Sequence, residues 1–192
     1  MTGVQTCALP ICFPVTIAGG INWNQVSTGN SFTAAIKTDG TLWTWGNGAL
    51  GRLGNNSTTD RSTPITTFSG GTTWSEVSLG SAHAIATKTD ATLWTWGNNT
   101  GGQLGRNSII NSSVPVSVFG QSLEWAQISP NGEGGVKTDG TLWVWGSGLY
   151  GVTGSSEIRY TPVTTFGGGT TWKHVDHGTN YTIGLKTDGT LS

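Results

Sequence analysis

One sequence unit recurs four times along the chain, and it constrains the fold more than any other feature. Each unit contains a Lys-Thr-Asp-Gly or Lys-Thr-Asp-Ala tetrad, and successive tetrads begin 51, 49 and 49 residues apart. A period of about fifty residues predicts a solenoid or a propeller, in which each unit buries its apolar face against its neighbours. A tryptophan opens each unit, at Trp23, Trp74, Trp125 and Trp172, and the tetrads begin at Lys37, Lys88, Lys137 and Lys186.

Each unit contains four short segments with strand character and no convincing helical stripe. In the first unit these segments are residues 23–27, 32–36, 42–45 and 65–68. Pro64 precedes the last segment, and a proline suits the start of a strand because no ladder donor is lost there. Alternation places Trp43 and Trp45 on one face of the third segment. Four strands in about fifty residues are typical of a propeller blade.

An Asp-Gly dipeptide separates the second and third segments in three of the four units. Asp39-Gly40 between two strands predicts a two-residue hairpin of type I′, which needs positive φ at both central positions. In the second unit Ala91 replaces the glycine. Alanine at positive φ is strained by about 1 kcal/mol, so we expect this hairpin to be weaker or to use another turn.

Three motifs in a fixed order identify the repeat most clearly in the second unit. These are Val-Ser-Leu-Gly-Ser-Ala-His at 77–83, the turn at Asp90, and Trp-Gly-Asn-Asn-Thr-Gly-Gly-Gln-Leu-Gly at 96–105. Together they resemble the repeat of the regulator of chromosome condensation family, over about residues 20–192. The resemblance implies an all-β fold: a β-propeller of about seven blades, each with four antiparallel strands.

Two units depart from this pattern. The first has Phe32 where the second has His83, and Arg52-Leu53-Gly54 where the second has Gln-Leu-Gly. The third has Val152-Thr153-Gly154 there, and it is two residues shorter between Trp125 and Lys137. We therefore expect the loop around residues 131–133 to differ from its counterparts.

Composition excludes several function classes. Charged residues make up 10% of the chain, against roughly 25% in soluble domains, and the net charge is −1. The absence of a basic cluster argues against a nucleic-acid surface, and no apolar run is long enough to predict a membrane-spanning segment. Serine, threonine, asparagine and glycine supply the polarity, which favours an extracellular or cell-surface location.

The two ends of the chain have unusual sequences. Residues 4–11 match the translation of a common sequencing adapter, so we expect residues 1–12 to be an artefact or a disordered leader. The chain ends at Ser192, where earlier units continue into a tryptophan. We therefore expect residues 13–192 to be a partial propeller of about 3.7 repeats, completed by the remaining blades of a parent chain.

No residue pattern predicts catalysis, a cofactor or a metal. The three histidines are His83, His174 and His177; the last two lie three apart in a strand, which points them to opposite faces. Each turn aspartate stands alone in its unit, whereas calcium needs about six to eight oxygens together. The only cysteines are Cys7, inside the adapter-like residues 4–11, and Cys12, and they support neither a disulfide framework nor a zinc site.

The ten tryptophans permit two interpretations. They could form platforms that stack against sugars. Their regular phase, with a lead tryptophan and a Trp-x-Trp pair in each of the first three units, instead favours a core between blades.

The sequence thus predicts a non-enzymatic binding scaffold, within a larger bacterial surface or secreted protein, that meets an unknown protein partner through loops at one rim. The alternatives are a carbohydrate-binding propeller and guanine-nucleotide exchange on a small GTPase, the founding activity of the family. The loops that vary most between units are residues 55–62, 106–113 and 155–160, with shorter candidates at 47–50, 98–101 and 147–150. The candidate binding residues are Asn56, Thr59, Asp60, Arg61, Asn107, Ile109, Asn111, Tyr150, Glu157, Arg159 and Tyr160.

Overall fold

The chain folds into consecutive antiparallel sheets. The computed structural model describes residues 22–120, 124–129, 131, 133–146, 157–164, 169–178 and 181–192. In each of the first three units the strands pair in chain order, from the innermost strand to the outermost. The predicted all-β architecture, with blades of four antiparallel strands, is confirmed. The described residues do not close the ring.

The strand bounds follow the repeat. The first blade consists of β1 (Trp23–Thr28), β2 (Phe32–Lys37), β3 (Leu42–Gly46) and β4 (Arg61–Thr66). The second consists of β5 (Trp74–Leu79), β6 (His83–Lys88), β7 (Leu93–Gly97) and β8 (Ser112–Ser117). The third consists of β9 (Trp125–Ile128), β10 (Gly134–Lys137), β11 (Leu142–Gly146) and β12 (Arg159–Thr164), and the fourth unit contributes β13 (Trp172–His177) and β14 (Thr182–Lys186).

The predicted type I′ turn between the second and third strands is wrong. Lys37 N–H donates to the Thr41 carbonyl (3.0 Å) and Gly40 N–H donates to the Lys37 carbonyl (2.9 Å), which makes a three-residue loop. Only Gly40 in this loop has positive φ, at 77°. This is a tight turn followed by one left-handed residue. The Asp39 carboxylate stabilises it by accepting bonds from the Thr41 N–H (2.9 Å) and hydroxyl (2.6 Å).

Ala91 adopts the same turn as its glycine counterparts. Its φ is 60°, and its N–H donates to the Lys88 carbonyl at 2.9 Å. Asp90 accepts both the N–H and the hydroxyl of Thr92, as Asp39 does from Thr41. The second hairpin therefore keeps the common geometry with a left-handed alanine.

The repeated proline lies inside the outermost strand rather than at its start. Pro64 is the fourth residue of β4, which forms one edge of its sheet. The pairing of β3 with β4 is also irregular between Thr44 and Gly46, so the partner residues run from Ile65 to Arg61 across a bulge. An edge strand with a bulge tolerates proline because no ladder bond is required from its nitrogen.

Tryptophans fill the junctions between blades, although unequally. Trp74, Trp96, Trp125 and Trp145 are buried, and Trp96 and Trp145 have no exposed surface. The first member of each Trp-x-Trp pair is only half-buried, because it lies at the turn end of its sheet. There a lysine covers its face: the Nζ atoms of Lys37, Lys88 and Lys137 lie 4.3, 4.4 and 4.4 Å from the ring centroids of Trp43, Trp94 and Trp143. Trp23, Trp45 and Trp172 are half-buried as well, so the core prediction is right for the buried four and only partly right for the others.

The Leu-Gly dipeptide at the end of the family motif packs against the second tryptophan of the Trp-x-Trp pair in the next blade. Leu104 is fully buried, and its carbonyl accepts the Thr95 hydroxyl at 2.9 Å. Gly105 has φ of +60°, and a Cβ there would lie 3.2 Å from the Trp145 ring. Leu53 and Gly54 repeat the arrangement beneath Trp96, despite the preceding Arg52. Residues 152–154 of the third unit lie outside the described residues.

Candidate functional site

Two of the predicted rim loops, residues 55–62 and 106–113, connect the third strand of a blade to its outermost strand. Equivalent side chains hold the bases of the two loops. The Asp60 carboxylate accepts Gly48 N–H at 2.8 Å, and the Asn111 side-chain oxygen accepts Asn99 N–H at 2.8 Å. Asp60 and Asn111 are therefore structural at the base of the loop, whatever else they contact.

A left-handed asparagine ties each loop to the blade that follows it. Asn56 and Asn107 have φ of 59° and 54°. Asn56 N–H donates to the Ser113 carbonyl at 2.8 Å, and Asn107 N–H donates to the Tyr160 carbonyl at 2.6 Å. The loops thus bridge neighbouring blades at fixed positions.

The tips of the loops differ between the blades. Thr58 and Thr59 of the first blade are exposed. Their counterparts in the second blade, Ile109 and Ile110, are 58% and 73% exposed. The buried Asn99 side chain supports this tip, because its amide donates to the carbonyls of Ser108 (2.7 Å) and Ile110 (3.2 Å).

The third blade contributes further apolar surface beside Asn107. Ile158 and Tyr160 are each 39% exposed. A Cβ on Gly102 would lie 3.1 Å from Tyr160 Cδ1 and 3.3 Å from Ile158 Cγ2, so both side chains pack on the turn of the second blade.

Ile109, Ile110, Ile158 and Tyr160 together are called the isoleucine rim below. Asn107 is bonded to Tyr160 of the third blade. Ile109 follows Asn107 by two residues, which span at most about 7 Å, so Ile109 lies on the same rim as Tyr160. The structure thus brings the predicted residues Asn107, Ile109, Asn111 and Tyr160 together across the junction of the second and third blades.

The remaining predicted residues occupy separate positions. Arg61 is exposed at the start of β4, and Thr59 and Asp60 lie with it on the first blade. Arg159 is half-buried, and its Nη2 lies 3.7 Å from the Glu157 carboxylate. Tyr150 lies outside the described residues.

Two of the three histidines lie in the interior. His83 is buried next to Gly80 of its own blade. His174 is exposed whereas His177 is buried, so β13 points them to opposite faces as the spacing predicts. Within the described residues, no three histidine, cysteine or acidic side chains come together in a way that could hold a metal ion.

A polar cluster around the buried side chains of Ser129 and His177, at the junction of the third and fourth blades, was not predicted. The Ser129 hydroxyl contacts His177 Nδ1, and the Asn131 amide donates to the His177 carbonyl. Burial lowers the pKa of His177 to about 4, and burial raises the pKa of Glu133, which lies against Gly146, to about 7. The cluster lies at the shortened loop of the third blade. There Ser129 N–H donates to the Gly134 carbonyl at 3.0 Å, whereas in the second blade Gly80 N–H donates to the His83 carbonyl.

The opposite ends of the strands, near the Asp-Gly turns, carry exposed phenylalanines that sequence reasoning missed. Phe68 and Phe119 occupy equivalent positions after the outermost strands and are 64% and 59% exposed. Phe119 borders a cleft of about 240 Å³ with Trp125, Trp143 and Pro162. The signal in the sequence was a phenylalanine four residues after each of the repeated prolines Pro64, Pro115 and Pro162.

Across the described part of the chain, none of the helical structure is long and apolar enough to span a bilayer.

Comparisons with known proteins agree with this geometry. Models of the regulator of chromosome condensation (RCC1) repeat match residues 39–87 and 90–129, and, for a second form of the repeat, residues 23–52 and 74–103. The X-linked retinitis pigmentosa GTPase regulator homolog of Caenorhabditis elegans is 34% identical over 111 residues, which cover 56% of this chain and 8% of that protein. The ultraviolet-B receptor UVR8 of Arabidopsis thaliana is 37% identical over 97 residues, which cover 50% of this chain and 22% of the receptor.

A solved structure shows the same fold. Yeast RCC1 (Prp20), in its complex with Kap60, superposes with a TM-score of 0.75 at 18% identity, over 91% of this chain and 44% of the yeast chain. The chain therefore spans less than half of that protein and less than a quarter of the two curated relatives.

Proposed function

The chain belongs to the RCC1 repeat family, and from that premise we propose that it is a non-enzymatic scaffold that binds a protein partner through its rim loops. The observation that carries the proposal is the contrast within the loops. Their bases are fixed in successive blades by equivalent bonds from a backbone N–H to a side-chain oxygen, whereas their tips carry Thr58 and Thr59 in one blade and Ile109 and Ile110 in the next. A rigid base with a variable, exposed tip is typical of binding loops.

The isoleucine rim is the part of this surface best suited to a protein. Exposed apolar side chains grouped at one edge mark interaction surfaces more often than single exposed residues do. Asn99 and Asn107 hold the rim backbone in place, so little ordering would be required when a partner binds. Yeast RCC1, which shares the fold, is bound to a protein, Kap60, in its solved complex.

Photo-crosslinking tests this proposal. A benzoylphenylalanine at position 110 should give a discrete adduct with a partner protein in an extract of the source cells. The same probe at position 59, the equivalent position in the first blade, is the matched control. The partner, once purified, is titrated by calorimetry. We expect Ile109→Asp with Ile110→Asp to weaken binding at least about tenfold, the loss of about 1.4 kcal/mol. Thr58→Asp with Thr59→Asp should leave it unchanged, and equal effects from both pairs would contradict the proposal.

Carbohydrate binding is a second candidate, and the lysine contacts weigh against it. A sugar would need the open faces of the half-buried tryptophans, but Lys37, Lys88 and Lys137 lie over those of Trp43, Trp94 and Trp143. A glycan array with binding that is lost in Trp94→Ala would reverse this preference.

Guanine-nucleotide exchange is a third candidate, and it rests on membership of the family alone. The described rim loops offer a threonine tip, an isoleucine tip and side chains bonded to backbone, with no feature specific to a GTPase. Release of labelled nucleotide from a small GTPase in the presence of the chain would establish it.

The low charge and the serine, threonine, asparagine and glycine content support a place in a bacterial surface or secreted protein.

A further inference from the structure

The innermost strands of successive blades are joined by side-chain amides. Gln25 of β1 accepts Val77 N–H at its Oε1 (2.9 Å) and donates from its Nε2 to the Val77 carbonyl (3.2 Å). Gln127 of β9 makes the same two contacts with Val175 of β13, at 3.1 and 3.3 Å. Each glutamine thus satisfies the exposed edge of the next innermost strand.

Glu76 occupies this position in the second blade. Like the two glutamines, it is the second residue after the tryptophan that opens its unit. Its carboxyl lies in one cleft with Ile128 of β9, the residue that corresponds to Val77 and Val175, and the Ile128 N–H favours the ionised form. A carboxylate has no hydrogen to donate, so when ionised it cannot reproduce the second contact. The Ile128 carbonyl accepts from the Gln127 amide, which also donates to Val175.

The surroundings of Glu76 contain few charges. The side chain lines a cleft of about 210 Å³ between the innermost strands. Gln25, Val26 and Ser27 of β1 and Gln127 of β9 face it there, and all are neutral. Thr87 of β6 pairs with it across the sheet. His174 of β13 is the other titratable side chain that lines the cleft among the described residues.

We propose that Glu76 is a proton-controlled staple between the second and third blades. As a carboxylic acid it accepts the Ile128 N–H and donates its proton to the Ile128 carbonyl, as Gln25 does with Val77. As a carboxylate it keeps the first contact and turns a second lone pair toward a carbonyl oxygen. Protonation therefore tightens this junction.

Burial raises the pKa of Glu76 above its ordinary value of 4.5, against the smaller lowering effect of the Ile128 N–H. A carboxyl whose pKa rises on folding stabilises the fold fully below its unfolded pKa. That contribution is lost as the pH rises through the folded pKa. The staple is thus closed below the folded pKa of Glu76 and open above it.

The experiment compares thermal unfolding midpoints at pH 4.5 and pH 8 in the whole chain, each taken as variant minus wild type. Because a glutamine donates at every pH, Glu76→Gln should raise the midpoint at pH 8 by about 2 to 4 °C, the shift expected for one net hydrogen bond in a chain of this size. At pH 4.5 its midpoint should match the wild type.

Gln25→Glu is the matched reciprocal variant, since it places a carboxyl at the equivalent contact on Val77. It should lower the midpoint at pH 8 by a similar amount and leave it unchanged at pH 4.5. Equal shifts at the two pH values, in either variant, would overturn the proposal. Failure of Glu76→Gln to fold would also overturn it, because glutamine closes the same contact in two other blades. His174→Gln should leave the effect of Glu76→Gln intact.

Discussion

The indole Nε1 of Trp96 donates a hydrogen bond of 3.0 Å to the backbone carbonyl of Arg52. Trp96 lies on β7 of the second blade, whereas Arg52 follows the short helical turn Ala49–Gly51 of the first, so the bond crosses the junction between them. Trp145 and Gln103 repeat the contact at 2.7 Å between the next two blades. At each of these junctions a fully buried tryptophan ring thus carries a hydrogen bond to the preceding blade.

Trp96→Ala should destabilise the chain by about 3 to 5 kcal/mol, because the substitution leaves a large cavity between two blades. Trp96→Phe keeps most of the packing but leaves the Arg52 carbonyl unpaired, at a cost of about 1 to 3 kcal/mol. Urea denaturation followed by tryptophan fluorescence and circular dichroism measures both.

Trp94→Ala is the control for these substitutions. Trp94 is half-buried, and its Nε1 bonds to Thr92 of the same blade at 2.9 Å. We expect a smaller loss of stability than for Trp96→Ala. A larger loss would mean that the turn end, rather than the ring of Trp96, holds the junction together.

Ala91→Gly should stabilise the chain by about 1 kcal/mol, because it relieves the strain of a left-handed alanine. The turn is already that of its glycine counterparts, so no rearrangement is required. The change is measured as the shift in the urea midpoint. An unchanged midpoint would show that the alanine is held without strain.

Gly140→Ala should cost more than Ala91→Gly gains. Gly140 has φ of +78°, and a Cβ there would lie 2.1 Å from the Thr170 carbonyl oxygen, so the backbone before Trp172 must move. Gly120→Ala separates the two effects, since Gly120 has φ of +70° and open space around it. Equal costs for both glycines would exclude a contribution from the contact with Thr170.

His177 and Glu133 should give opposite pH dependences that nearly cancel in the wild type. The pKa of His177 falls from 6.5 to about 4 on folding, so its contribution to stability is lost as the pH drops below 6.5. The pKa of Glu133 rises from 4.5 to about 7, so its contribution is lost as the pH rises above 4.5. Each effect amounts to about 2 kcal/mol between pH 4.5 and pH 7.

Single variants separate the two groups. Glu133→Gln should become less stable as the pH falls from 7 to 4.5, whereas His177→Gln should become less stable as it rises over the same interval. Slopes of urea-derived free energy against pH provide the readout, and these slopes do not depend on any constant loss from the substitution. Parallel slopes in the two variants would contradict the assignment.

Local sequence determined the strands, their order and the blade. Strand segments, lead tryptophans and the Asp-Gly positions follow from alternation and period, which a chain carries wherever it folds. The type of turn did not follow, because one hydrogen bond between Lys37 N–H and Thr41 lengthens the loop by a residue. The position of Pro64 inside β4 likewise depends on a bulge in the pairing with β3.

Only the tertiary structure decided which contacts the equivalent residues of successive units make with the neighbouring blade. Gln25, Glu76 and Gln127 share one phase in the sequence, yet their role appears only where each reaches the strand edge of the next blade. The rim residues Asn107 and Tyr160 are 53 residues apart and meet through one backbone bond. Periodicity determines what each blade is made of, whereas contacts between blades join residues about fifty positions apart, and such pairings exist only once the blades have packed.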